Sequence, residues 1–142
     1  MATINASATI SSDIASYPVT ISGAMTMTKS ANPSVGLEET TGLRTKKFTT
    51  TTAAVIVEHD ELTDDKAHKV YIRNASTNRA NFFYVALNTN AAADDTTETI
   101  GKLYGGDWML MPWAATAAVT HNITVAPSTT DAMTLEFMVF QE

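Results

Sequence analysis

Apolar and polar residues alternate in short runs along this chain, and Gly, Pro, Asn and Asp cut the runs before a 3.6-residue rhythm develops. A period of two sends successive side chains to opposite faces of an extended backbone, so the pattern predicts strands. The C-terminal MTLEFMVFQE is the clearest case. Met133, Leu135, Phe137 and Val139 share one parity and Thr134 and Glu136 the other, until Met138 and Phe140 make both faces apolar.

Other segments read the same way. VTISGAMTMTKS alternates Ile21, Met25 and Met27 with polar positions, and its break at Gly23 and Ala24 predicts a bulge or bend. TTAAVIVEH, HKVYIRN and FFYVALN are further strands, with STNRAN read as a hairpin connection between the last two. Ile100 to Tyr104 and Asp107 to Met111 read as two strands of a tight hairpin joined at Gly105 and Gly106, with Pro112 ending the second. A short strand at NITVA and a Pro-Ser turn precede the C-terminal strand.

The remaining segments read as connections. Residues 1 to 18 show no persistent period and are expected to form an arm ordered against a neighbour. ANPSVGLEETTGLR, DELTDDKA and NTNAAADDTTET read as loops, and WAATAAVTHN is ambiguous between a helical turn and a connection. The expected fold class is therefore all-β: an antiparallel β-sandwich or jelly-roll-like barrel of about eight strands. Its expected organisation is an arm over residues 1–18 and a single domain over 19–142.

Composition narrows the function classes. At 142 residues the chain suits one ordinary core, and 44% hydrophobic against 17% charged residues, with threonine in dense runs, suits half-buried sheets. No apolar run approaches the roughly 20 residues of a membrane helix, and no basic and apolar signal core opens the sequence. The three glycosylation sequons starting at Asn5, Asn74 and Asn122 are therefore read as coincidental. With no cysteine there are no disulfides and no thiolate metal sites. A formal net charge of −6 disfavours a general phosphate-backbone binder, so no direct nucleic-acid partner is expected. Most of the basic residues nevertheless lie between Arg44 and Arg79, where they offer a local basic face to an acidic protein.

Motifs for turnover are missing: there is no GxSxG, GxGxxG, phosphate loop or HExxH. His59, Asp60, Glu61, Asp64 and Asp65 form the densest group of metal-capable side chains, but they lack the spacing of a calcium loop and read as a solvated turn. Asp94, Asp95 and Glu98 read as a polar loop, and His68 and His121 as ordinary surface or interface histidines. No catalytic, cofactor or metal residues are assigned, and a non-enzymatic protein is expected. The aromatic positions are the better candidates. Tyr71, Arg73, Arg79, Tyr104, Trp108 and Trp113 are candidate interface residues. Under an alternative reading Tyr104, Asp107, Trp108 and Trp113 form a sugar or peptide platform, with Asn122 as a further polar contact.

HKVYIRNASTNRANFFYVALN, followed by IGKLYGGDWMLMPW and TLEFMVFQE, resembles small β-sandwich structural proteins of tailed phages. The resemblance lies in a strand carrying an RN turn, a second aromatic strand and a GGDW hairpin ending at proline, over roughly residues 50 to 142. It implies a virion protein assembled in the host cytoplasm, most closely a capsid decoration or cement protein. Such a protein self-associates, often as a homotrimer, and binds the major capsid protein or another virion protein. A tail or neck component, or a carbohydrate- or receptor-binding module, is the alternative.

Overall fold

The computed structural model describes residues 3–12, 19–29, 36–63, 66, 68–87, 99–114 and 121–142. They form an all-β fold of three antiparallel sheets. The eleven described strands are β1 (Thr3–Ser12), β2 (Val19–Thr28), β3 (Glu39–Thr40), β4 (Arg44–Phe48), β5 (Ala54–Val57) and β6 (His68–Asn74), then β7 (Phe82–Leu87), β8 (Thr99–Tyr104), β9 (Trp108–Trp113), β10 (Ile123–Pro127) and β11 (Met133–Gln141). The alternation pattern missed β1, β3 and β4. The chain divides into two compact units, Met1–Glu38 with Glu142, and Glu39–Gln141.

In the first unit β1 and β2 pair along ten residues each, from Thr3 opposite Thr28 to Ser12 opposite Val19. The expected boundary near residue 18 falls between these two strands. Where the sequence reads as an aperiodic arm, residues 3–12 form a regular strand. Ile4, Ala6, Ala8 and Ile10 do keep a period of two, which alanine's small side chain disguises as polar sequence. Gly23 pairs with Ala8 in unbroken register, so the expected bulge is absent from β2.

The second unit contains two open sheets. One has the order β5-β10-β7-β8, the other β3-β11-β6-β9 with β4 also paired to β11. Neither closes into a barrel. Phe48, Val57, Val70, Ile72, Phe83, Val85, Ile123, Val125, Met133, Leu135 and Val139, drawn from both sheets, belong to one buried cluster. The parity read for Met133, Leu135, Phe137 and Val139 is the buried one. β-branched and aromatic side chains fill these positions because they fit a pleated surface and remove the most apolar area from water.

Both expected hairpins are instead crossings between sheets. β6 pairs with β9 and β11, whereas β7 pairs with β8 and β10, so residues 75–81 carry the chain from one sheet to the other. Gly105 and Gly106 carry it back, because β8 and β9 also belong to different sheets. Asp107 N–H donates to Tyr104 C=O at 2.9 Å, closing the turn, and Gly106 has φ +89°, as the third position of a type II turn requires. A Cβ at Gly105 would collide with the Asn78 carbonyl, lying 2.8 Å from its carbon. Pro112 does not end β9. It lies within the strand opposite Lys69, which an edge strand tolerates because a missing N–H breaks no ladder on the open side.

Asn74 joins the two crossings. Its fully buried side chain donates from Nδ2 to the Asn81 carbonyl at 3.2 Å and the Leu103 carbonyl at 3.0 Å, and Oδ1 accepts from Ser76 N–H at 3.0 Å. Its backbone accepts from Gly106 N–H and donates to Asp107 C=O. A second link runs between β7 and the residue after β10: Ser128 N–H donates to Phe82 C=O, and Phe82 N–H donates to Ser128 Oγ.

Urea unfolding tests these crossings. Asn74→Ala removes three hydrogen bonds at the crossings, although the Asn81 carbonyl keeps Gly105 N–H, and is expected to cost about 2–4 kcal/mol. Asn74→Asp, which loses both donors, should not rescue it. Gly105→Ala is expected to cost about 2–3 kcal/mol through backbone overlap, and Gly106→Ala about 1–2 kcal/mol through its positive φ. The reverse order for the two glycines would contradict the close approach at Gly105.

Candidate functional site

The crossings scatter the aromatic residues that the sequence places together. Trp108 and Trp113 lie on β9 with opposite orientations, while Tyr104 ends β8 in the other sheet. Trp113 is only 6% exposed; its Nε1–H donates to the His121 carbonyl at 2.8 Å, and its ring packs edge-on to His68 at 5.5 Å. His68, expected at the surface or an interface, is instead buried. Trp108 is 48% exposed, and its ring lies 6.4 Å from that of Tyr71. The expected face separation of Trp108 and Leu110 from Met109 and Met111 is present, the two methionines packing against the core.

Register builds a band across the outer face of β9, β6 and β11. Arg73 lies between Trp108 and Glu136, Tyr71 between Leu110 and Met138, and Lys69 between Pro112 and Phe140. Tyr71, Leu110 and Met138 are half-buried and Trp108 open, giving an aromatic and aliphatic centre. Arg73 and Glu136 pair at 3.3 Å and neutralise each other along its upper row. Arg73 was a sequence candidate. Leu110, Glu136 and Met138 were not, since only strand pairing between distant segments brings them beside it.

The other sheet carries a separate aromatic group. On its outer face Phe82 packs against Tyr84 at 5.0 Å and Tyr104 at 5.2 Å, and Lys102 Nζ lies 4.8 Å above the Phe82 ring and 5.3 Å above that of Tyr84. Tyr104 therefore belongs with Phe82 rather than with the tryptophans. A cation over two ring faces is attracted by their negative quadrupoles. Lys102 thus has definite partners in the Phe82 and Tyr84 rings.

The four-residue platform of Tyr104, Asp107, Trp108 and Trp113 is not assembled as one surface. Trp113 is turned into the core, and Asp107 holds the turn by accepting from Tyr104 N–H at 3.1 Å while pairing with Arg79 at 3.6 Å. Asn122 is buried and accepts from both His59 N–H, at 2.8 Å, and His59 Nδ1, at 3.0 Å. Burial of Asn74 and Asn122 also removes both from the surface a glycan needs.

The basic stretch is similarly divided. Arg44 pairs with Glu61, Arg73 with Glu136 and Arg79 with Asp107. Among the described residues no group of three His, Cys, Asp or Glu side chains is placed to hold a metal, and no helix is long and apolar enough to cross a membrane. Asp64, Asp65, Asp94, Asp95 and Glu98 lie outside the described residues. Comparison with known proteins finds no matching family model and no curated protein of similar sequence.

The contrast between the two tryptophans is measurable. Acrylamide should quench Trp108 emission strongly and Trp113 weakly, so Trp108→Phe is expected to remove most of the quenchable fluorescence. Equal quenching in the two single-tryptophan variants would contradict their placement.

Proposed function

We propose that this is a non-enzymatic virion structural protein, most closely a capsid decoration or cement protein, acting as a homotrimer on the shell and assembled in the host cytoplasm. The two open sheets of Glu39–Gln141 act as the layers of a β-sandwich around their common apolar cluster. The outer band of Trp108, Tyr71, Leu110 and Met138 is the observation that carries this reading. It offers a partly exposed apolar centre with a charge-compensated margin, the form a protein contact takes when a desolvated anchor is ringed by polar groups. Trp108 and Tyr71 are suitable anchors because each buries a large area with few rotatable bonds. The resemblance of residues 50 to 142 to phage structural proteins supports a capsid subunit as the partner.

Light scattering over a concentration series is expected to give a mass near three times 15.2 kDa. The protein should co-sediment with capsid shells of its own virus, and Trp108→Ala should weaken that binding about tenfold or more while leaving the fold intact. A persistent monomer without shell affinity would sink the proposal.

A second reading has its own observation. An exposed indole beside a phenol and the Arg73–Glu136 pair is also what a sugar-binding face uses, with rings against the apolar side of the pyranose and charged groups on its hydroxyls. Glycan-array binding lost in Trp108→Ala would favour it over shell binding. No glycan response from the wild-type protein would remove it.

A further inference from the structure

The β1–β2 ribbon has two unlike faces. The register places Ile4 with Met27, Ala6 with Met25, Ala8 with Gly23 and Ile10 with Ile21 on one face, ending at Ser12 with Val19. The opposite face is almost entirely hydroxyl and amide, from Thr3 with Thr28 through Asn5 with Thr26 to Ser11 with Thr20. The apolar face is covered at one end, where Met27 is buried. It is open at the other, where Ile10 is 63% and Ile21 60% exposed and Val19 is also exposed. A two-stranded ribbon is marginal in water by itself and becomes stable when its apolar face is covered.

We propose that this hairpin is the self-association element of the protein, the open apolar faces of its copies meeting around the threefold axis of the trimer. Three features select a second copy as the occupant. Charge is the first: neither strand carries a single Asp, Glu, Lys, Arg or His, while the whole chain carries a net −6. Like-charged copies repel, and an uncharged ribbon is where they approach at least cost. An acidic or basic partner would gain nothing from such a surface.

The second feature is shape. Ala8 and Gly23 form a narrow waist, and an added Cβ at Gly23 meets nothing within 4 Å. The bulky Ile10–Ile21 pair lies immediately beside this waist, so one face offers both a ridge and a recess for the same face of a neighbour.

Edge protection is the third. Open strand edges invite pairing with other chains, and proteins block them with lysine, proline, bulges or very short strands. β3 has two residues; β4 carries Lys46 and Lys47; β9 carries Pro112; and the ladders of β5 and β8 are each broken by a register shift. The ribbon has none of these devices over ten consecutive pairs. Association is thus discouraged along the edges of the two larger sheets and left open at the hairpin.

The contact is small. From a rise of about 3.3 Å per residue and a strand spacing of about 4.8 Å, the open half of the ribbon covers on the order of 200 Å² per copy. That is well below the roughly 800 Å² per partner of a standard specific interface, so a single ribbon contact is weak and assembly should be concentration-dependent and rely on several such contacts closing around an axis.

This assignment rests on the self-association reading above, and sedimentation equilibrium separates the two. The wild-type protein is expected to be oligomeric at tens of micromolar and to dissociate on dilution. Ile10→Lys with Ile21→Lys should raise the dissociation constant about a hundredfold or more, because unpaired ammonium groups cannot be buried. Thr9→Lys with Ser22→Lys, on the polar face, should leave it unchanged. The cysteine-free chain permits a second measurement that does not depend on the lysine variants folding: Ala8→Cys should form inter-chain disulfides on mild oxidation, and Ser7→Cys should not. A monomeric wild type would overturn both readings. An oligomer that survives the Ile10 and Ile21 substitutions, or that cross-links equally from Ser7→Cys, would overturn the hairpin assignment alone.

Discussion

A buried amide at the end of β6 is the constraint on which the arrangement of the larger unit depends. Asn74 lies where the chain leaves one sheet and close to where it returns from the other. Backbone groups at such crossings have left one ladder without joining the next, and away from water each needs a partner. One side chain binds three backbone groups around them, donating to Asn81 and to Leu103 of β8 and accepting from Ser76. Low polarity around it strengthens each bond and makes each loss costly. Leucine in the same space would remove all three of these side-chain bonds, and aspartate would lack the donors.

Because the crossings exchange sheets, they also decide which surfaces exist. If residues 100 to 113 formed a simple hairpin, Tyr104 and Trp108 would share one sheet. Instead the turn at Gly105 and Gly106 sends Tyr104 to Phe82, Tyr84 and Lys102, and Trp108 to Tyr71. Two separate aromatic faces result, each on the outside of a sheet whose other side contributes to the core. Trp108, at 48%, is somewhat more exposed than Tyr104, at 39%, and is flanked by a compensated ion pair.

The hairpin and the larger unit follow different surface rules. The edges of the larger unit are shortened, bulged or marked with Lys and Pro, the usual means by which sheets avoid unwanted pairing. The ribbon is long, regular and uncharged, and the open end of its apolar face lacks a cover within the described residues. Edge pairing is thus discouraged in the larger unit, while the ribbon carries none of these edge devices.

Local pattern determined the all-β class and most of the strands, because side chains on a pleated backbone alternate whatever lies across from them. It located the inward parity of β11 and the opposed faces of Trp108 and Met109. It missed β1, where alanine fills half of the apolar positions, β3, which has only two residues, and β4, whose RTKKF holds a single apolar residue. The candidate face was half legible: Tyr71, Arg73 and Trp108 are conspicuous by type, whereas Glu136 and Met138 join them only through pairing between β6 and β11. Tertiary structure alone decided that Gly105 and Gly106 cross between sheets, that Trp113 is buried while Trp108 is open, and that Asn74 is a structural hub. The physical reason is common to all three: a turn motif fixes local backbone angles, but which strand pairs with which depends on hydrogen bonds and apolar burial between residues far apart in the chain.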